Sequence, residues 1–143
     1  MLEIQNLHVK FHSREREAVS GVSLTIRNGE ILGLVGESGS GKSVTAMSVA
    51  GLLPRKQCDY SGQILLDGEP LSRYGRACPV QMIWQHPETA LDPLLPLEVS
   101  LHEAGPVEER LLKALHIQPQ WLRRYPRELS GGELQRFCIA RAL

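Results

Sequence analysis

Residues 31–43 read ILGLVGESGSGKS, and within them Gly36-Glu37-Ser38-Gly39-Ser40-Gly41-Lys42-Ser43 fits G-x-x-x-x-G-K-[ST] at every fixed position. The setting supports the letters. Residues 31–35 are a nearly continuous apolar run, the composition of a strand buried on both faces of a parallel sheet. After Ser43 comes VTAMSVAGLL, in which Val44, Met47 and Leu52 suit a helix of about ten residues. Strand, glycine-rich loop and helix is the order a phosphate cradle needs. Glycines let backbone N–H groups turn inward on a phosphate, where a Cβ would obstruct. The helix N-terminus adds partial positive charge. In this motif Lys42 reaches the β- and γ-phosphates and the Ser43 hydroxyl ligates Mg²⁺. The competing reading is a glycine-rich turn that binds nothing.

The rest of the chain sets bounds. Its 143 residues make one domain's worth of sequence. Lys and Arg number 16, as do Asp and Glu, so nothing in the charge balance points to nucleic acid or to an acidic partner. No apolar run reaches the roughly 18 residues of a membrane span, and no signal-peptide pattern opens the chain, so the expected compartment is the cytosol. Cys58, Cys78 and Cys138 are scattered, with no C-x-x-C, and read as unpaired thiols. The five histidines lack metal-ligand spacing.

Upstream of the loop, residues 2–11 alternate apolar and polar with one slip of register, and residues 18–26 alternate again. Asn28-Gly29 reads as a hairpin turn into the strand at 31–35. Downstream, residues 54–60 read as a loop. Ile64-Leu65-Leu66-Asp67-Gly68-Glu69 invites comparison with the apolar strand ending in Asp-Glu that holds Mg²⁺ in many phosphate-loop ATPases. Gly68 parts the two acids, and Asp-Gly is a two-residue hairpin signal, so it reads as a turn. PVQMIW, residues 79–84, is a second short apolar strand ended by Gln85. Helices are expected over 97–104, from Pro106 with Leu111, Leu112 and Leu115 on one side until Pro119, and after Ser130. Ser130 and Glu133 make an S-x-x-E capping box before Leu134, Phe137, Cys138 and Ala142.

Leu129-Ser130-Gly131-Gly132-Glu133 resembles the LSGGQ signature of ATP-binding-cassette (ABC) proteins, with Glu133 where glutamine is most common. Residues 82–87, MIWQHP, residues 90–94, ALDPL, and Tyr125-Pro126-Arg127-Glu128 resemble the importer ATPases of the oligopeptide, dipeptide and nickel group. The resemblance spans the chain and implies an α/β fold. That fold is a P-loop NTPase core of ABC type, with an N-terminal antiparallel β subdomain and a short α-helical subdomain. One cassette over 1–143 would divide into an ATP-binding core at 1–84, the Q-loop and helical subdomain at 85–128, and the signature with its helix at 129–143.

The resemblance also implies roles. Gly36, Glu37, Ser38, Gly39, Ser40, Gly41, Lys42 and Ser43 would hold ATP. Gln85 would be the Q-loop glutamine that approaches Mg²⁺ and the attacking water. Ser130, Gly131 and Gly132 would cover the γ-phosphate of ATP held by a second cassette, or Ser130 is only a helix cap. Phe11 falls where the family places an aromatic under adenine, or it packs at a strand end. The implied cofactors are ATP and Mg²⁺. The implied partners are a second ATPase subunit and integral-membrane permease subunits, without nucleic acid. The implied place is the inner face of the cell membrane, reached through the permease.

Two departures accompany the resemblance. The interval from Gln85 to Ser130 is short for the peptide and nickel group, so a reduced helical subdomain is expected. The family's Walker B aspartate, catalytic glutamate, D-loop and switch histidine lie beyond the equivalent of Leu143, so the chain reads as the N-terminal part of such an ATPase. The expected function is the ATP-binding subunit of an importer for peptides or nickel, and isolated residues 1–143 are not expected to hydrolyse ATP usefully. Alternatives are a nucleotide-binding remnant without hydrolysis and a non-transport ABC protein.

Overall fold

The computed structural model describes residues 1–54, 56–103, 105 and 108–143, with the side chains of 75–77 outside that description. Two compact units result, Met1–Val80 and Gln81–Leu143.

The first unit is built on alternation. Strands β1 (Leu2–Phe11), β2 (Val19–Ile26), β3 (Cys58–Leu66) and β4 (Glu69–Pro70) form an antiparallel sheet in the order β2-β1-β3-β4. Its core takes Ile4, Leu7, Val9, Val19, Val49, Cys58, Ile64 and Leu71. In β1 the inward positions switch from even to odd between Ile4 and Leu7, the slip that the sequence shows. Asn6 absorbs it at φ 49°, and pairing with both neighbours shifts there. The extra residue is a β-bulge. Gly62 faces it at φ 94°, where a Cβ would lie 2.3 Å from the Asn6 carbonyl oxygen. Asp67 (φ 50°) and Gly68 (φ 82°) join β3 to β4 through the two positive-φ positions of a type I′ turn. This confirms Asp67-Gly68 as a turn. Strand β3 starts at Cys58, inside the stretch expected to be loop.

Helix α1 (Lys42–Val49) follows the glycine loop and has 8 residues, shorter than the ten expected. Gly51, at φ 68°, ends it: its N–H donates to the Ser48 carbonyl (3.2 Å) and that of Leu52 to Met47 (2.9 Å). This pair of bonds is a Schellman motif, so Leu52 lies outside the helix.

The expected strand at 31–35 does not form, and neither does the one at 79–84. Ile31 is 98% exposed and Val35 90%. A strand exists through its ladder partners, and no described residue pairs with either run. Apolar composition states what a segment can bury, whereas pairing also needs a neighbouring edge. The turn at Asn28-Gly29 is present but closes no hairpin, because nothing after it pairs with β2.

The second unit is helical. It contains α2 (Leu97–His102), α3 (Glu109–Ala114) and α4 (Gly131–Ala142), with 3₁₀ turns that each open on a proline: Pro87–Thr89 before α2, and Pro119–Trp121 and Pro126–Glu128 between α3 and α4. Its core holds Leu91, Leu97, Leu101, Ile117, Leu129, Leu134, Phe137, Cys138 and Ala140, with Leu112, Leu115, Trp121 and Leu122 packed against it. The unpaired N–H groups at the start of α2 find carbonyls in the link before α4: Leu97 donates to Arg124 (2.9 Å) and Glu98 to Leu122 (2.8 Å). Helix α3 ends before Pro119, because His116 turns left-handed at φ 54° and makes a second Schellman pair, His116 to Lys113 (3.0 Å) and Ile117 to Leu112 (2.9 Å). Ala104, Pro106 and Val107, on which the end of one expected helix and the start of the next fall, lie outside the described residues.

Candidate functional site

The first unit carries the glycine loop as a compact turn on α1. Gly41 caps the helix at φ 92° and ψ 0°. Its carbonyl accepts from the Thr45 N–H (2.8 Å) and the Thr45 hydroxyl (3.0 Å). A Cβ on Gly41 would sit 2.3 Å from the Ala18 carbonyl oxygen. The second glycine of the motif is thus required by the approach of the chain entering β2, a neighbour that motif spacing does not name.

Lys42 turns back over the loop. Its Nζ donates to the carbonyl oxygens of Gly36 (2.8 Å) and Glu37 (2.6 Å) and to Ser40 Oγ (3.3 Å). The ammonium is therefore held at the concave side of residues 36–40 by acceptors of the loop itself. All of 36–40 are exposed, as is Ser43, the second residue of α1. The arrangement fits a polyphosphate: a cation held by the loop, a helix N-terminus beneath it and exposed glycine-rich backbone around it. A hydroxyl one residue along supplies a hard oxygen donor of the kind Mg²⁺ takes. Among the described residues no group of three or more His, Cys, Asp or Glu side chains could hold a metal ion. Asp67 and Glu69, the acids of the Asp-Gly turn, are engaged elsewhere: Asp67 pairs with the amino terminus and Glu69 with Arg73 at 2.7 Å.

Phe11 ends β1 opposite Cys58, half-buried, and packs against the sheet core. Gln85 lies in the second unit, exposed in a bend just before the 3₁₀ turn at Pro87.

The second unit presents Ser130 as the N-cap of α4. Its Oγ accepts from the Glu133 N–H (3.4 Å) and donates to Glu133 Oε2 (2.8 Å), which also accepts from the Ser130 N–H (2.7 Å). The capping box read from the sequence is thus present on both sides. The Ser130 N–H and hydroxyl hold the Glu133 carboxyl below its ordinary value, with smaller contributions from Arg124 and Arg136. The S-x-x-E spacing identifies the pair, but it does not show that the two arginines act on the carboxylate. Gly131 and Gly132 are exposed in the first turn. The other end of α4 is tied down within its unit: Cys138 Sγ lies 3.7 Å from the Pro87 carbonyl oxygen, and Arg141 Nη1 donates to that of Ala90 at 2.8 Å.

Comparison with known proteins gives the family and the fold. Residues 19–143 match the family model described as ABC transporter. A probable D,D-dipeptide transport ATP-binding protein of Escherichia coli is 42% identical over 167 aligned residues, covering 99% of this chain and 51% of the relative. A dipeptide transport ATP-binding protein of Bacillus subtilis is 36% identical, covering 100% of this chain and 50% of its own length. The chain thus spans about half the length of these curated relatives. Among solved structures, the dimeric post-hydrolysis state of an ATP-binding cassette bound to ADP and Pi superposes with a TM-score of 0.77 at 24% identity, over 100% of this chain and 69% of that one. An ATP-binding subunit of an ABC transporter gives a TM-score of 0.78 at 24% identity, over 99% of this chain and 61% of that one.

Proposed function

Because the chain belongs to the ABC transporter family of ATP-binding cassettes, we propose that it is the nucleotide-binding part of an importer subunit, one that binds Mg-ATP to drive uptake of peptides. The observation that carries this reading is the Lys42 ammonium held by the Gly36 and Glu37 carbonyls in a loop that fits the phosphate motif at every fixed position. The relatives described above are named for dipeptides, which favours peptides over nickel as cargo.

In this reading residues 36–43 hold the phosphates and Ser43 offers its hydroxyl to Mg²⁺. Lys42 exchanges its carbonyl acceptors for phosphate oxygens. Charge-assisted hydrogen bonds of this kind contribute about 1.5–3 kcal/mol each. Bound Mg²⁺ would neutralise phosphate charge. Gln85 positions water and metal, Ser130, Gly131 and Gly132 face the ATP of a second ATPase subunit, and Phe11 lies beneath adenine. The division into an ATP-binding core at 1–84, a Q-loop and helical subdomain at 85–128 and a signature segment at 129–143 belongs to the same reading. The subunit would work in the cytoplasm, held at the membrane by permease subunits. No helix among the described residues is long and apolar enough to cross a membrane.

The test is uptake of labelled dipeptide by cells whose only copy of this subunit carries Lys42→Ala at the chromosomal locus. Lost peptide uptake with unchanged nickel uptake supports the reading. Unchanged peptide uptake overturns it.

A further inference from the structure

Helix α4 begins with the groups that would receive an anion. These are the exposed N–H groups of Gly131 and Gly132, the Ser130 hydroxyl, and the positive field of a 12-residue helix. An anion already stands there, and it belongs to the chain. Glu133 Oε2 takes the Ser130 N–H at 2.7 Å and the Ser130 hydroxyl at 2.8 Å, so the hydroxyl proton is committed to a carboxylate. The charges of Arg124, from the link before the helix, and Arg136, three residues beyond Glu133, add a smaller favourable field at the same carboxylate.

We infer that Glu133 is a built-in competitor for the phosphate that Ser130 would bind: its carboxylate occupies the anion-binding end of α4 and must swing away before a phosphate can take the Ser130 hydroxyl. The inference rests on the reading of Ser130, Gly131 and Gly132 as facing a nucleotide phosphate, and it adds a positioning residue whose charge sets how readily they do so.

The physical argument is a comparison of side chains at one position. A glutamine there also has an oxygen that can accept from the Ser130 N–H, but it is neutral. Hydrogen bonds to a charged acceptor are roughly twice as strong as neutral ones. Glu133 therefore holds the serine more tightly than glutamine would. It also adds a negative charge beside an approaching phosphate, and like charges a few ångström apart repel even at a solvent-exposed helix end, where water screens part of the effect.

The experiment follows the backbone amide signals of Ser130, Gly131 and Gly132 by NMR while inorganic tripolyphosphate is added to wild type, Glu133→Gln, Glu133→Ala and Glu133→Gln/Ser130→Ala. Expected is a half-saturating concentration about tenfold lower in Glu133→Gln than in wild type, with the gain lost in the double variant. Glu133→Ala lowers the melting temperature of the unit through loss of the cap, yet still binds the probe more tightly than wild type. A merely structural cap would lower stability without raising affinity. Equal or weaker binding in both single variants overturns the inference.

ATP-dependent self-association, measured by sedimentation on the same proteins, separates this from the underlying reading. Association at equal ATP concentrations in wild type and Glu133→Gln refutes the role of Glu133 and leaves the two-subunit reading standing. Tighter triphosphate binding in Glu133→Gln, with no ATP-dependent association in any variant, refutes the two-subunit reading and supports the competitor.

Discussion

Replacing Gly41 with alanine tests whether the loop is seated as described. The backbone there has φ 92° and ψ 0°, and a side chain in left-handed backbone costs about 1–2 kcal/mol. The new Cβ would lie 2.3 Å from the Ala18 carbonyl oxygen, 3.4 Å from the Ala18 carbonyl carbon and 3.4 Å from Val19 Cγ2. Ala18 cannot easily yield, because its N–H donates to the Val9 carbonyl at 2.7 Å and Val19 pairs with Val9 in the sheet. Moving it gives up a hydrogen bond worth about 1 kcal/mol. Moving Gly41 instead disturbs the two bonds from Thr45. The expected loss is about 2–4 kcal/mol for the first unit. Trp84 and Trp121 both lie in the second unit, so tryptophan fluorescence would miss it. The assay is amide hydrogen exchange at Val9 and Val19, with urea unfolding by circular dichroism beside it. Protection within about 0.5 kcal/mol of wild type, the size of an ordinary surface substitution, would refute the seating of Gly41 against Ala18.

Three further outcomes follow from other elements. His116→Gly relieves a left-handed histidine at the end of α3 (φ 54°) and should stabilise the second unit by about 0.5–1 kcal/mol; a lower urea midpoint would contradict this. Phe11→Ala should weaken ATP but not tripolyphosphate if the ring lies beneath adenine, since base stacking contributes about 1–3 kcal/mol and phosphate contacts none of it; equal losses would assign Phe11 to the sheet core alone. Because Ser130 holds the Glu133 carboxyl below its ordinary value, the cap's contribution is fully present above pH about 4.3 and is lost as pH falls through the lowered value. Protection of the amides in the first turn of α4, taken relative to their intrinsic exchange rate at each pH, should therefore fall only below that pH, and no change down to pH 2.5 would argue against the pairing.

Much of this architecture is legible in the residues. The β1 slip, the Asp67-Gly68 turn and the Ser130–Glu133 box are local signals, each settled by neighbours a few residues away. The phosphate motif is legible for the same reason, since Lys42 meets acceptors only five and six positions back. What could not be read depends on distant partners. Residues 31–35 carry the composition of a buried strand, yet a ladder needs another edge, and none of the described residues supplies one. The same holds at 79–84. Gly41 is required by Ala18, a contact that spacing does not encode. The lengths of α1 and α3 turned on Gly51 and His116; a glycine is a recognised stop signal, but a histidine in left-handed backbone carries none.

The most direct test of the nucleotide assignment is calorimetric titration of purified wild-type protein and Lys42→Ala with Mg-ATP, circular dichroism having shown both to be folded. Lys42 directs its ammonium to two loop carbonyls and one hydroxyl that phosphate oxygens would replace. The account predicts a saturable isotherm for wild type and at least a tenfold weaker one for the variant, the loss expected from one charge-assisted contact. Equal affinity in the two proteins would contradict it.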